Sequence, residues 1–170
     1  MKTSKAGIDL IKQFEGCRLK AYRCQAGVYT IGYGHTKGVT AGMTITQQQA
    51  EDMLQQDLAT YEKTVDGTGA KLTQGQFDAA VSLCYNIGTS AFTNSTVAKL
   101  IKADPQPRTE LEMAWGSWRM AGGRVSNGLV ARRAKEYAYY RKHSITLTKV
   151  LGTCAAIALV AGSGCLIFLS

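Results

Sequence analysis

Three side chains near the start of the chain could do acid, thiol and hydroxyl chemistry together: Glu15, Cys24 and Thr30. They lie in the stretch FEGCRLKAYRCQAGVYTIGYGH, residues 14–35, at the spacing Glu-x8-Cys-x5-Thr. Cleaving an acetal needs a proton donor for the leaving oxygen and a group that captures or stabilises the cationic sugar carbon. Glu15 suits the first role if burial raises its pKa towards neutrality. Cys24 as thiolate could attack or stabilise the sugar carbon, or share with Thr30 the positioning of a water. Spacing alone also fits a solvated helix-end carboxylate, a small buried apolar thiol and a threonine chosen for strand propensity.

The local patterns show how these residues would be positioned. Ser4 is a helix cap, and Ile8, Ile11 and Phe14 follow at helical spacing, which puts Glu15 at a helix C-terminus before Gly16. Residues 17–45 are rich in Gly, Tyr, Thr and Val; Val28–Tyr33 reads as a strand, and the region as a small antiparallel sheet. A hairpin folding back over the helix end would bring the three groups to one cleft. Thr46 and Gln49 form a capping box for a long helix carrying Ala50, Met53, Leu54, Leu58, Tyr61 and Val65, ended by Gly67 and Gly69. A second box, Thr73 and Gln76, opens a helix whose buried stripe is Phe77, Ala80, Val81, Cys84 and Tyr85. Ser95 caps a short helix, Pro105 and Pro107 break the chain, Leu111–Trp118 is helical up to Gly122-Gly123, and a last helix starts near Gly128. Trp115, Trp118, Phe77 and Phe92 are read as core.

These 170 residues support one domain, built of two lobes. The formal charge of +8 favours polyanions: nucleic acid, anionic lipid or an anionic cell-wall polymer. Without a nucleic-acid-binding motif, the wall polymer explains the charge and no nucleic-acid partner is expected. The five cysteines, 17, 24, 84, 154 and 165, are an odd number without metal-type spacing, which argues against a zinc site and a full disulfide framework. No metal and no cofactor are expected. The N-terminus lacks a long apolar h-region, so no cleavable signal peptide is expected.

Residues 150–170 carry no charge. A helix of that length spans about 31 Å, close to the hydrocarbon thickness of a bilayer. The segment is rich in Gly, Ala, Ser, Thr and Cys, which makes it a marginal single span at the inner membrane, with a buried C-terminal helix or strand as the alternative. The basic residues Arg132, Arg133, Lys135, Arg141, Lys142 and Lys149 precede it and would keep the preceding domain cytoplasmic. Cys17 lies close to Cys24 in sequence; a bond between them would block the thiol, and Cys154 or Cys165 could free it by exchange. Reduced cysteines with no switch are the alternative.

The signature FEGCRLKAYRCQAGVYTIGYGHT, with QFDAAVSLCYNIGTSAFTNSTVAKL and WGSWRMAGGRVSNGLVARRAKEY, resembles the phage-type lysozymes of glycoside hydrolase family 24, the endolysins of phages and prophages, over roughly residues 4–142. The resemblance implies an α+β, mainly helical, lysozyme-like fold: a small lobe about 12–60 with the antiparallel sheet and a helical lobe about 61–144; the hydrophobic tail over 145–170, read as a C-terminal helix, departs from the N-terminal span better known in membrane-tethered endolysins. It implies a monomeric enzyme that hydrolyses the β-1,4 bond between N-acetylmuramic acid and N-acetylglucosamine in bacterial peptidoglycan and so lyses the host. Glu15 would be the general acid, Cys24 would stand where Asp is commoner, and Thr30 would be the hydroxyl beside it. Arg133 would match the arginine that approaches the acid from the last helix, with Arg132 the neighbouring alternative. Asn86 would offer an amide to an N-acetyl group, and Tyr33 and His35 would lie near the cleft, His35 as a structural hydrogen-bonder. The enzyme would wait in the cytoplasm or at the inner membrane, for a lesion made by a phage holin or for release of its tail, and act in the periplasm. A lytic transglycosylase, or an inactive membrane-tethered wall-binding module, are the alternative readings.

Overall fold

The computed structural model describes residues 1–24 and 27–144, and the hydrophobic tail over 145–170 lies outside them. Among the described residues no helix is long and apolar enough to cross a membrane.

Helix α1, Lys5–Glu15, opens on Ser4, whose hydroxyl accepts the Gly7 N–H, and stops at Gly16 with φ 65°. That left-handed turn releases the chain into β1, Arg18–Arg23, which pairs antiparallel with β2, Tyr29–Gly32. Arg23 faces Tyr29 and Tyr22 faces Thr30, while a bulge shifts the register between Tyr22 and Arg18, which lies opposite Gly32. The strand expected over Val28–Tyr33 is therefore shorter at both ends. Bridges from Lys20 to Thr44 and from Ile31 to His35 fold the following loop back on the ribbon.

Helix α2, Gln47–Asp66, begins at the Thr46–Gln49 capping box, and both reciprocal bonds are made. At 1.5 Å per residue it extends about 30 Å, and it packs on β2 at one end and on α3 and α4 further on. Ala50, Leu54, Leu58 and Val65 form its buried stripe. The second box, Thr73–Gln76, starts α3, Gln74–Ile87. Every residue of α3 from Gly75 to Cys84 is buried, because α1, α2, α4 (Thr89–Asn94) and α7 (Asn127–Lys142) surround it. A helix covered on all sides needs an all-round apolar surface, and its polar members need partners. Asp78, fully buried, accepts the Ser4 backbone N–H at 2.9 Å, the Ser4 hydroxyl at 2.5 Å and the Gln74 amide at 2.9 Å.

Helices α5, Thr96–Ala103, and α6, Thr109–Gly116, complete the helical lobe around Phe92, Val97, Ile101, Leu111 and Trp115. Helix α6 ends sooner than the sequence pattern suggests. Gly122 and Gly123 do not terminate it; with φ of 55° and 76° they form the turn of a short hairpin, β3 Met120–Ala121 and β4 Arg124–Val125. Two successive positive φ values are what a tight two-residue hairpin loop demands. Phe77, Phe92 and Trp115 are fully buried, whereas Trp118 is only half-buried.

The junction of α1 and α3 depends on one missing side chain. A Cβ on Gly7 would lie 2.6 Å from Cγ and 2.7 Å from Cβ of Asp78, and 2.8 Å from Thr3 Cγ2. Gly7→Ala is expected to cost about 1–3 kcal/mol through forced displacement of the α1–α3 contact. Gly128→Ala, where the nearest atom is Ser126 Oγ at 3.7 Å, should leave stability within about 0.5 kcal/mol. Urea unfolding of the two variants checks both.

Candidate functional site

The last residue of α1 and the first half of α7 meet at the mouth of the fold. Glu15 Oε1 lies 2.7 Å from Arg132 Nη1, and the Arg132 guanidinium also lies over the Phe14 ring, 4.8 Å from its centroid. Arg132 donates from Nε to Glu136 Oε1 at 2.9 Å and from Nη2 to the Ser82 carbonyl at 3.3 Å. Glu136 is 0 % exposed and carries the whole cluster. Its Oε1 also accepts the Ser82 hydroxyl at 2.8 Å and Arg133 Nη2 at 3.2 Å, and its Oε2 accepts the Trp115 indole N–H at 3.1 Å.

The resemblance put Arg133 beside Glu15 with Arg132 as the alternative, and the structure corrects this to Arg132. Neighbouring residues on a helix point about 100° apart. Arg132 faces Phe14 and Glu15, while Arg133 turns into the lobe, where it is 2 % exposed and donates from Nη2 to Asn86 Oδ1 at 2.9 Å. Arg133 therefore cannot touch a substrate directly. Its Nε lies 3.1 Å from Glu136 Oε2, within ion-pair distance but out of line for a hydrogen bond. Burial pulls the Arg133 guanidinium down to about 10, partly opposed by Glu136, so it stays charged at neutral pH.

Glu15, His35, Asp57, Tyr61, Tyr85 and Asn86 line a cleft of about 230 Å³ with mostly polar walls. The Gly34–Lys37 loop forms its rim. His35 places Nδ1 2.8 Å from Asp57 Oδ2 and Nε2 2.8 Å from the Lys37 carbonyl, so it is a hydrogen-bonded structural residue that also faces the cleft. The Tyr85 hydroxyl donates to the Tyr33 carbonyl at 2.8 Å, tying α3 to the small lobe. Burial, with Glu15 and Asp57 adding to it, pushes the Tyr85 phenol well up, and burial followed by Asp57 raises Tyr61; both stay neutral donors. Larger cavities lie elsewhere, including one of about 420 Å³ at the end of α2 beside α5. That one holds no carboxylate, and its threonine hydroxyls already donate to helix or turn carbonyls.

Tyr33 is buried, and its hydroxyl accepts the Gln47 amide at 2.8 Å, so it braces the lobe without forming a wall of the cleft. Cys24 and Thr30 are not among the cleft walls either. Cys24 is half-buried at the end of β1, its N–H donating to the Val28 carbonyl at 3.0 Å. Thr30 is 5 % exposed and its hydroxyl donates to the Val28 carbonyl at 3.3 Å. Since Tyr22 opposes Thr30, strand alternation puts Cys24 and Thr30 on one face of the ribbon. Asp57 and Glu136 escaped the sequence reading, and Tyr61 and Tyr85 entered it only as members of buried helix stripes, whereas they line the cleft. The signal for Glu136 was its spacing from Arg132 and Arg133, i+4 and i+3 on one helix.

The chain matches the family model described as phage lysozyme over residues 12–136. It is 43% identical over 144 residues to an endolysin of Acyrthosiphon pisum secondary endosymbiont phage 1, covering 82% of this chain and 98% of that one. An endolysin of Bacillus phage PZA is 45% identical over 82% of this chain, which there spans only 55% of the relative's length. Among solved structures, the muramidase domain of SpmX from Asticaccaulis excentricus superposes with a TM-score of 0.75 at 37% identity, covering 82% of this chain and 97% of that domain.

Two outcomes follow from the buried groups. Glu136→Gln strips the charge that holds two buried guanidinium groups, and should cost about 3–5 kcal/mol in urea unfolding. Burial pushes the Cys84 thiol up to about 12, so its thiolate is negligible at pH 8. Iodoacetamide at that pH should modify the exposed Cys17 in the native protein and spare Cys84 until unfolding, as read by peptide mass spectrometry.

Proposed function

The chain belongs to the phage lysozyme family, and from that premise we propose that this peptidoglycan-hydrolysing endolysin cuts the β-1,4 bond between N-acetylmuramic acid and N-acetylglucosamine. The observation that carries the reading is the carboxyl of Glu15 at the end of α1, held through Oε1 by Arg132 and facing a polar cleft. Arg132 fixes one oxygen, and the other is left to meet the glycosidic oxygen. Glu15 is the general acid that protonates the leaving sugar oxygen. Cys24 meets the opposite side of the sugar, as the nucleophile or as the group that positions a water. Thr30, almost wholly covered, acts from behind Cys24 as a positioning hydroxyl. His35 and Asn86 form cleft walls that contact the glycan.

The same proposal extends to location. The tail over 145–170 holds the enzyme at the host inner membrane before release, and the lysozyme domain, residues 1–144, works on the cell wall from the periplasm. Membrane fractionation of the full chain against one lacking residues 150–170 tests this; equal partition of the two into the soluble fraction would remove the tethering.

The activity is read by turbidity loss of outer-membrane-permeabilised Gram-negative cells. Glu15→Gln should lose at least about 100-fold in rate. Cys24→Ala should fall comparably, whereas Cys24→Asp, which restores the commoner family residue, should lyse cells and resist thiol reagents. A Glu15→Gln protein that lyses at the wild-type rate would reject the assignment.

A further inference from the structure

Helix α7 carries its polarity inside out. Its buried side holds the ion cluster of Arg132, Arg133 and Glu136. Its outer side holds Ala131, Ala134 and Ala138, all exposed. At about 100° per residue the three alanines share one stripe, with Arg141 along one edge and Lys135 and Lys142 along the other, and these bases are exposed too. Glu136 is the only acidic residue of the helix, and it is fully buried. Among the described residues the ion pairs of α7 are those of Arg132 and Arg133, so the three outer bases are unpaired. Glu112 of α6 acts on the Tyr137 phenol at the flank of this face and makes no ion pair with them.

Charge and position together give this face an occupant. The surface of an anionic bilayer attracts every lysine and arginine that comes near it. Alanines between the bases let the helix backbone approach the headgroups, while the long basic stems reach phosphates from both edges. The helix ends at Lys142, and the uncharged stretch 150–170 follows closely in the chain. The connection from Ser144 to residue 150 can span at most about 20 Å. A tail held in a bilayer therefore keeps the end of α7 beside the lipid surface and raises the effective concentration of this face there. A wall polymer is also anionic, but only the bilayer is brought to this face by the chain's own connectivity.

We infer that the outer face of α7 is a docking surface for an anionic lipid bilayer, and that it seats the folded domain in one orientation beside its tail. The inference rests on the reading of residues 145–170 as a membrane tether and adds to it a second contact. Arg132, which holds Glu15, points about 120° round the helix from Ala138 at the middle of the face. Docking therefore keeps the lipid away from the acid and leaves the cleft open to the aqueous side, where a glycan can enter.

The test uses the full chain on vesicles of phosphatidylglycerol with phosphatidylethanolamine, and on vesicles of phosphatidylcholine. Flotation reads binding. Acetylation by an N-hydroxysuccinimide ester, followed by peptide mass spectrometry, reads the exposure of each lysine. Lys63 and Lys99, exposed on α2 and α5, are the references. On the anionic vesicles Lys135 and Lys142 should react about tenfold more slowly than on phosphatidylcholine, and should regain their rate in about 0.5 M salt. Ala134→Glu sets a carboxylate in the middle of the face, where no basic residue lies three or four positions away. It should keep the wild-type melting midpoint and lose most of the protection; unchanged protection would overturn the inference. A chain that floats with both kinds of vesicle, with Lys135 and Lys142 as reactive on one as on the other, would overturn it while leaving the tether intact. Flotation with anionic vesicles alone, with the two lysines protected, would reject the tether and leave the docking face standing. No flotation with anionic vesicles would reject both. Protection by isolated cell-wall sacculi but not by vesicles would assign the face to wall polymer. Protection already present without vesicles would assign it to the chain's own tail or a second copy. Either result overturns the inference.

Discussion

A single buried carboxylate, Glu136, sets the geometry of the site. Two guanidinium groups compete for its oxygens, and each is also tied to a residue of the cleft: Arg132 to Glu15, Arg133 to Asn86. Burying three charges is costly unless each is paired and hydrogen-bonded. Here Ser82 and Trp115 supply the remaining donors to the carboxylate. The cluster therefore works as a fixed frame built inside the helical lobe. Its outward arms present a carboxyl group and an amide to the cleft at positions the core decides.

The frame depends on the central position of α3. That helix supplies Ser82 to the cluster, Asn86 and Tyr85 to the cleft, and Cys84 and Phe77 to the core. Because packing covers it from Gly75 to Cys84, its axial position has little freedom, and close-packed interiors transmit displacement without absorbing it. The same helix receives α1 at Gly7 and the end of α7 at Gly75, where a Cβ would lie 2.3 Å from His143. The acid-bearing helix and the arginine-bearing helix are thus both set against one reference element. Each of these approaches to α3 is made close at one point by a glycine.

Much of this could be read in the sequence, because local chemistry decides it. Ser4, Thr46, Thr73 and Ser95 are caps whose partners lie within three residues, and each bond is present. Glu15 at a helix end followed by Gly16 is likewise a local fact. What failed was long-range or angular. The choice between Arg132 and Arg133 turns on the helical phase of α7 relative to α1, which no local pattern contains. Gly122-Gly123 fits a helix stop and a hairpin turn equally well until the flanking residues are seen to pair. Asp57 looked like one more polar residue on a long amphipathic helix. Its partner, His35, is 22 positions away on a loop that only the folded sheet brings alongside.

A thiol at position 24, where an aspartate would add a negative charge, bears on the electrostatics of the small lobe. Between Glu15 and Glu51 the sequence contains Arg18, Lys20, Arg23 and Lys37 and no acidic residue. An aspartate in place of Cys24 would be the only carboxylate of that span. Arg18 and Arg23 spend part of their charge on tyrosine faces, with guanidinium carbons 4.6 Å from the Tyr22 centroid and 5.7 Å from that of Tyr29. No carboxylate pairs with either among the described residues. The ribbon therefore keeps a positive field on the lobe that closes one side of the cleft, while the negative charge of the cleft is confined to Glu15 and Asp57. A polymer bearing carboxylates is drawn by the first and finds few repelling groups in the second. With no carboxylate at position 24, the positive charges of Arg18 and Arg23 are left to the tyrosine faces of the ribbon and to an approaching polyanion.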